Sequence, residues 1–238
     1  MATGFDSAAR EYDSRRGAPR TVEIEALVRV FEDCRRLLDL GGGTGRYAGP
    51  LISAGHEVAV LDRSRGMLAE ARAKGLPWAV RGNAARLPFR EDAFDGALFI
   101  EFLHLVKDWP AAIREVGRVT RGPISAIMRI RDPDLRWLYA DTRAKLGRPT
   151  RLLDHGVNAL TEILPPERLE QLWLDRYQVD AAKAFEGFEN PEHSPADVHA
   201  VALEQIRSRA GSTHPEVVET GWLVVWNPGD FRRFAAGA

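Results

Sequence analysis

The sequence predicts an α/β fold, a mainly parallel sheet covered by helices, on three observations. Short uninterrupted apolar runs at Leu37-Leu38 and at residues 58–61, 97–100 and 124–128 suit strands buried on both faces. Amphipathic helical patterns stand between them, and a β-α-β-α order implies parallel pairing. The chain has 238 residues, 45% hydrophobic and 28% charged, which is ordinary globular usage and ample for a packed core.

Taken in order, residues 21–34 place Leu27, Val30, Phe31 and Cys34 at i, i+3, i+4 and i+7, a helix whose apolar face includes Cys34 as a packed thiol. The run at Leu37-Leu38 enters a glycine-rich turn, with a helical segment after it. Residues 64–74 read as a helix with Met67, Leu68 and Ala71 on one side. Residues 110–120 read as another, with Ile113, Val116 and Val119 inward. From Arg131 the alternation gives way to a mostly helical stretch carrying Trp137, Tyr139 and a helix start at Pro165-Pro166. We expect a single domain over residues 1–238, with residues 131–175 as a helical lid or substrate insertion. A strand at 177–185, a capped helix start at 194–197 and a final strand at 222–226 complete the reading.

Composition excludes several functions. With 33 Lys+Arg against 34 Asp+Glu the net charge is −1, so nothing overall draws the chain to nucleic acid or anionic lipid. One cysteine can form neither an internal disulfide nor a cysteine-based zinc site, which suits a reducing, cytoplasmic setting. The N-terminus lacks the basic and apolar segments of a signal peptide. The longest charge-free runs, residues 47–56 and 220–229, fall short of the ~20 residues of a membrane-spanning helix. The six histidines have no metal-ligand spacing.

The segment Leu37-Leu-Asp-Leu-Gly-Gly-Gly-Thr-Gly-Arg46 carries the most chemistry. Glycines 41, 43 and 45 let backbone approach a ligand and adopt positive φ. The dinucleotide fingerprint G-x-G-x-x-G would need glycine at 46, where Arg46 stands. Asp39 precedes the glycines, and an acid there suits a ligand end bearing an ammonium group better than a pyrophosphate. Asp62 closes the next apolar run, twenty-one residues past Gly41, where a carboxylate can accept from both hydroxyls of a ribose. The alternative for Asp62 is capping of the helix that begins at Ser64.

The pattern Asp39-x-Gly41-x-Gly43-x-Gly45 resembles motif I of class I S-adenosylmethionine (SAM)-dependent methyltransferases. Four further segments extend the resemblance over roughly residues 5–130. Gly82-Asn83-Ala84 with Leu87-Pro-Phe89 and Phe94-Asp95 is similar to the family's "G-D-A…L-P-F…F-D" stretch, with Asn83 in place of the usual acid. Phe94 to Asp108 is similar to the fourth-strand region of methyltransferases of ubiquinone/menaquinone biosynthesis and the biotin pathway, His104 matching the first of two histidines. Glu115 to Gly122 resembles "E…R-V-L-K-P-G-G", and Phe5 to Asp13 resembles "F-D…A…Y-D". The resemblance implies a Rossmann-like seven-stranded sheet with the last strand antiparallel, and residues 222–226 inserted beside the 124–128 strand. It implies SAM as cofactor, held by Tyr12, Asp39, Gly41, Gly43, Gly45, Asp62, Arg63, Met67, Asn83, Ala84 and Phe99. Tyr12 would cover the sulfonium, and Asn83 and Ala84 would meet adenine.

The expected reaction is in-line methyl transfer to a small-molecule acceptor, where alignment and water exclusion supply most of the acceleration. A general base is needed only when the nucleophile loses a proton; His104 is the first candidate and Glu101 the second. Phe99-Ile-Glu-Phe102 lacks the Asn/Asp-Pro-Pro-aromatic element of methyltransferases acting on DNA or glutamine nitrogens. Residues 129–151 hold seven basic residues against three acids. Two readings of that stretch stand, a binding surface for a small anionic acceptor and a solvated helix face. Two further functions also stand: an NAD(P)-linked oxidoreductase, opposed by Asp39 and Arg46, and a SAM-binding regulatory or scaffold protein without transfer activity.

Overall fold

The computed structural model describes residues 4–132, 156–179 and 216–236, with positions 144, 200, 201, 204 and 208. Seven strands form one sheet: β1 (Arg36–Leu40), β2 (Glu57–Asp62), β3 (Trp78–Arg81), β4 (Gly96–Leu98), β5 (Ile124–Asp132), β6 (Arg168–Gln178) and β7 (Glu216–Trp226). The order is β3-β2-β1-β4-β5-β7-β6, with the first five strands parallel and the last antiparallel. The seven-stranded, Rossmann-like expectation and the place of residues 222–226 beside β5 both hold.

The described helices are α1 (Gly4–Arg16), α2 (Thr21–Val30), α3 (Ala48–Ser53), α4 (Arg65–Ala73), α5 (Trp109–Val119), α6 (Val157–Ile163) and α7 (Pro228–Ala236). Strand residues alternate between two cores, which explains the uninterrupted apolar runs. Leu38, Leu40, Ala97, Phe99, Ala126, Val224 and Trp226 pack with Ile113, Val116 and Phe231 on one face. Leu37, Val58, Val60, Leu98, Ile127, Leu223 and Val225 pack with Leu27, Phe31, Leu51 and Leu68 on the other. Burying a large aliphatic side chain contributes roughly 1.5–3 kcal/mol, so two such layers dominate the stability of this sheet. Cys34 lies in the second layer and burial pushes its thiol up to about 11, so it is the packed, unreactive thiol expected, but not on the helix expected over 21–34: α2 ends at Val30, and Phe31 and Cys34 follow in the turn after it.

The chain divides into two compact units, one of residues 1–128, 154–172 and 222–238 and another of residues 129–153 and 173–221. Within the second unit the Tyr177 hydroxyl donates to Glu219 Oε2 at 2.8 Å, and Arg131 meets Oε1 of the same carboxylate at 2.8 Å. Trp173 packs flat on Gly221, and Arg129 lies over its ring at 5.8 Å. Both basic residues at the start of the 129–151 stretch are thus engaged by side chains of their own unit. The other five, with Trp137 and Tyr139, lie outside the described residues, as does the helix start at 194–197.

The 131–175 segment differs from a helical lid in its described parts. Strand β5 runs on to Asp132, and α6 is followed by a strand and not by a helix starting at Pro165-Pro166. Paired prolines remove two backbone donors and press the preceding residue toward extended geometry, so the chain leaves α6 there. That strand, β6, is Arg168–Gln178, with Leu172 packed on the sheet core and Trp173 on Gly221, and it meets the strand expected at 177–185 only at its first two positions; residues 180–185 lie outside the described residues.

Candidate functional site

Parallel register brings the C-terminal ends of β1, β2, β3 and β4 to one edge: Asp39 aligns with Val60 and Leu98, and Asp62 with Arg81. The chain reverses direction of travel along the sheet between β1 and β4, the place where open α/β sheets bind ligands. A cavity of about 480 Å³ opens there. Its lining combines Gly41 and Gly43, then Leu61, Asp62, Arg63, Ser64 and Met67, then Gly82, Asn83, Ala84 and Ala85. The loop after β4 adds Ile100, Glu101, Phe102, Leu105, Val106, Lys107 and Asp108, and α1 adds Phe5 and Tyr12.

Asp62 is fixed by backbone. Its Oδ2 accepts the Gly43 N–H at 3.1 Å and its Oδ1 the Ser64 N–H at 2.8 Å. Burial raises its pKa, these amides oppose the rise, and the Asp6 charge adds to it. Ser64, not Asp62, caps α4: its hydroxyl accepts the Met67 N–H at 3.1 Å. The capping alternative for Asp62 is therefore set aside. The Arg63 N–H also acts on this carboxylate, which still faces the cavity with acceptor capacity left.

Gly41 has φ +71°, and a Cβ there would fall 1.9 Å from the Phe102 ring. Only glycine allows that ring to close over the loop. Asp39 lies beneath the turn and does not line the cavity. Its carboxyl packs so close to Gly42 that a Cβ there would fall 2.4 Å from it, and Oδ2 has no hydrogen-bond partner among the described residues. Burial, and then the Asp62 charge, push its pKa up to about 7.

Helix α1 is clamped along its length. Asp6 Oδ1 accepts from the Ser64 hydroxyl at 2.7 Å and from the Gly66 N–H at 2.9 Å. Asp13 takes the Thr44 hydroxyl and the Lys74 ammonium. Arg46 donates to the Gly17 and Arg16 carbonyls at 2.9 and 3.3 Å, satisfying the end of the helix. These contacts hold Phe5 and Tyr12 at the cavity. From the other side, Glu115 accepts the Leu87 N–H at 2.6 Å and pairs with Arg118, whose guanidinium donates to the Phe89 and Leu87 carbonyls. The turn after β3 is pinned in this way, and Asn83 Oδ1 accepts the Ala85 N–H at 3.2 Å within it.

The structure thus gathers Tyr12, Gly41, Gly43, Asp62, Arg63, Met67, Asn83, Ala84 and Glu101 around one cavity. It leaves out Gly45, which faces Leu76, and Phe99, which is 1% exposed and stacked on Trp226 at 5.8 Å. His104 sits in a short 3-10 turn, Leu103–Leu105, and is not among the lining residues. Of the two expected bases, only Glu101 reaches the cavity. Its φ of +52° is uncommon for a non-glycine residue and aims a loop that must turn sharply after β4. Phe5, Phe102, Leu105 and Lys107 were not anticipated. The Phe5 to Asp13 similarity placed α1 near the site, but no spacing rule marks which loop residues face inward. A wider hollow of about 790 Å³ lies at the opposite end of the strands, around Arg35, Glu57, Asp95 and Arg121. Charges along its lining pair with one another, Arg35 with Glu57 at 2.7 Å and Arg121 with Asp95. No cluster of metal-ligating side chains occurs among the described residues. No described helix is long and apolar enough to cross a membrane.

Residues 38–122 match a family model described as a methyltransferase domain. An uncharacterised methyltransferase of Mycobacterium tuberculosis is 28% identical over 241 residues, covering 94% of this chain and 92% of that protein. A demethylmenaquinone methyltransferase of Mycolicibacterium paratuberculosis is 36% identical over 131 residues, 51% of this chain and 55% of its own length. The solved structure of the YcgJ protein from Bacillus subtilis has the same fold, with a TM-score of 0.58 at 18% identity over 87% of this chain and 99% of that one.

Proposed function

We propose that this chain, whose residues 38–122 match a methyltransferase domain, transfers the methyl group of SAM to a small-molecule acceptor at the cavity described above. One observation carries the reading: the glycine turn, the Asp62 carboxylate and the Asn83-Ala84 turn line a single cavity of about 480 Å³, within the range of ligand pockets. SAM supplies an activated methyl whose departure leaves a neutral thioether.

The residues divide the work. Asp62 takes the two ribose hydroxyls on its remaining lone pairs. Asn83 offers a carbonyl and an amide to the adenine edge, with Ala84 against the ring. Gly41 and Gly43 admit the amino-acid end, and the Asp39 carboxyl beneath them attracts its ammonium in its ionised form. Tyr12 and Phe5 on α1 cover the sulfonium, where an aromatic face favours positive charge, while Arg63 and Met67 wall the cavity. Glu101 is the base available to an acceptor that loses a proton. The lone buried thiol Cys34 fits a reducing compartment, and we place the reaction in the cytoplasm.

The test is thermal unfolding with SAM, its demethylated product and NAD. A ligand at about 100 times its Kd stabilises by about 2.7 kcal/mol, which for a chain of this size raises Tm by roughly 5–10 °C. SAM and its product are expected to give that rise and NAD none. A rise with NAD alone overturns the reading.

A further inference from the structure

Among the described residues the sheet ends on two unlike edges. The β3 edge has four residues, while the β6 edge has eleven and stands at the far end of the strand order. A long edge strand presents unpaired N–H and C=O groups, and monomers usually shorten it, interrupt it with proline or crowd it with lysine. Strand β6, Arg-Leu-Glu-Gln-Leu-Trp-Leu-Asp-Arg-Tyr-Gln, has no proline, lysine or glycine, and its charges cancel. Leu169, Leu174 and Tyr177 remain 49%, 48% and 36% exposed.

The order of these residues complements itself. When the strand is laid antiparallel against a second copy about Trp173, Glu170 falls opposite Arg176, Leu172 opposite Leu174, and Leu169 opposite Tyr177. Each pair then occurs twice by symmetry. Directly opposed residues of antiparallel strands share a face, so these are the contacts that stabilise such a pairing. We propose that β6 pairs in this register with β6 of a second copy, giving a two-fold symmetric homodimer with one sheet running through both chains. In the single chain Glu170 meets Arg168 and Arg29, and Arg176 meets Glu216 at 3.3 Å. All are surface ion pairs of small worth, readily exchanged for the cross-strand ones.

Sedimentation equilibrium of the full chain tests this with two charge reversals, Glu170→Arg and Arg176→Glu. The wild-type chain is expected to be a dimer. Each variant alone opposes like charges twice, and its dimer dissociation constant is expected to rise roughly tenfold or more. An equimolar mixture restores both opposite-charge pairs, so it is expected to form heterodimers, which also shows that both variants fold. A monomeric wild type, a single variant that dimerises as well as wild type, or a mixture that stays monomeric each overturns the proposal. SAM-induced thermal stabilisation is expected in all three proteins, so failure of the dimer is distinguishable from failure of the cofactor assignment.

Discussion

Replacing Asp39 by asparagine (Asp39→Asn) removes a buried charge while keeping the side-chain shape. Asp39 is 2% exposed, and one of its oxygens lacks a partner among the described residues. Its native pKa is raised from 3.8 to about 7 by burial and by Asp62. A raised native pKa means that the folded chain holds the proton more tightly than the unfolded one. The associated stability is fully present below pH 3.8 and is lost as pH rises through about 7. At about 1.4 kcal/mol per unit, that loss amounts to about 4 kcal/mol at most. The substituted amide would not titrate, so the fall between pH 4 and pH 8 should shrink by that order in the variant. The buried amide brings donors of its own at about 1–3 kcal/mol, which leaves a net gain of about 1–3 kcal/mol at pH 8 and a net loss at pH 4. Urea unfolding of both proteins across this pH range provides the readout. Parallel stability curves would refute the placement of an ionisable, uncompensated acid under the turn. A more stable variant at pH 8 that binds SAM less tightly would mark Asp39 as an acid retained for function at the expense of the fold.

Asp62→Ala removes a charge-assisted pair of hydrogen bonds to ribose worth about 1.5–3 kcal/mol, so SAM affinity should fall about tenfold or more in calorimetry. An unchanged affinity would remove Asp62 from the ribose. Gly41→Ala places a Cβ 1.9 Å from the Phe102 ring at φ +71°, and should lower stability by about 1–3 kcal/mol in urea unfolding and weaken SAM binding with it. Wild-type behaviour in both assays would mean that the ring moves aside freely. Glu101→Gln should lower kcat by about 10²- to 10⁴-fold for an acceptor that loses a proton, while His104→Ala leaves it within a few-fold. The opposite pattern in steady-state kinetics would return the base to His104.

The sheet was legible because burial on both faces turns strands into apolar runs, and because helices with one buried face show their period. Asp62 was legible as a cavity residue because parallel strands end at one edge, which brings the acid closing the second strand beside the glycine turn, while its spacing alone left capping of α4 open. Phe99 was misplaced for the same reason that β4 was recognised. A strand buried on both faces has no alternation to say that Phe99 stacks on Trp226 while Ile100 lines the cavity. Helix α1 depends on contacts far apart in the chain, Asp6 to Ser64 and Asp13 to Lys74, which no local pattern encodes. Arg46 was read only as a missing glycine, yet it closes the C-terminal end of α1. Just before β6 the Pro165-Pro166 pair suggested a helix start, whereas the long-range packing of Trp173 on Gly221 selects a strand.

Methyl transfer from SAM to a small molecule at the Asp62 cavity leaves a labelled product that can be followed. It is tested most directly by incubating wild-type and Asp62→Ala protein at low SAM concentration with methyl-labelled SAM and a cell metabolite extract, then following label into small molecules. The wild-type protein is expected to produce a labelled metabolite and the variant at least about tenfold less. Label in no small molecule, or equal labelling by both proteins, would rule out methyl transfer at this cavity.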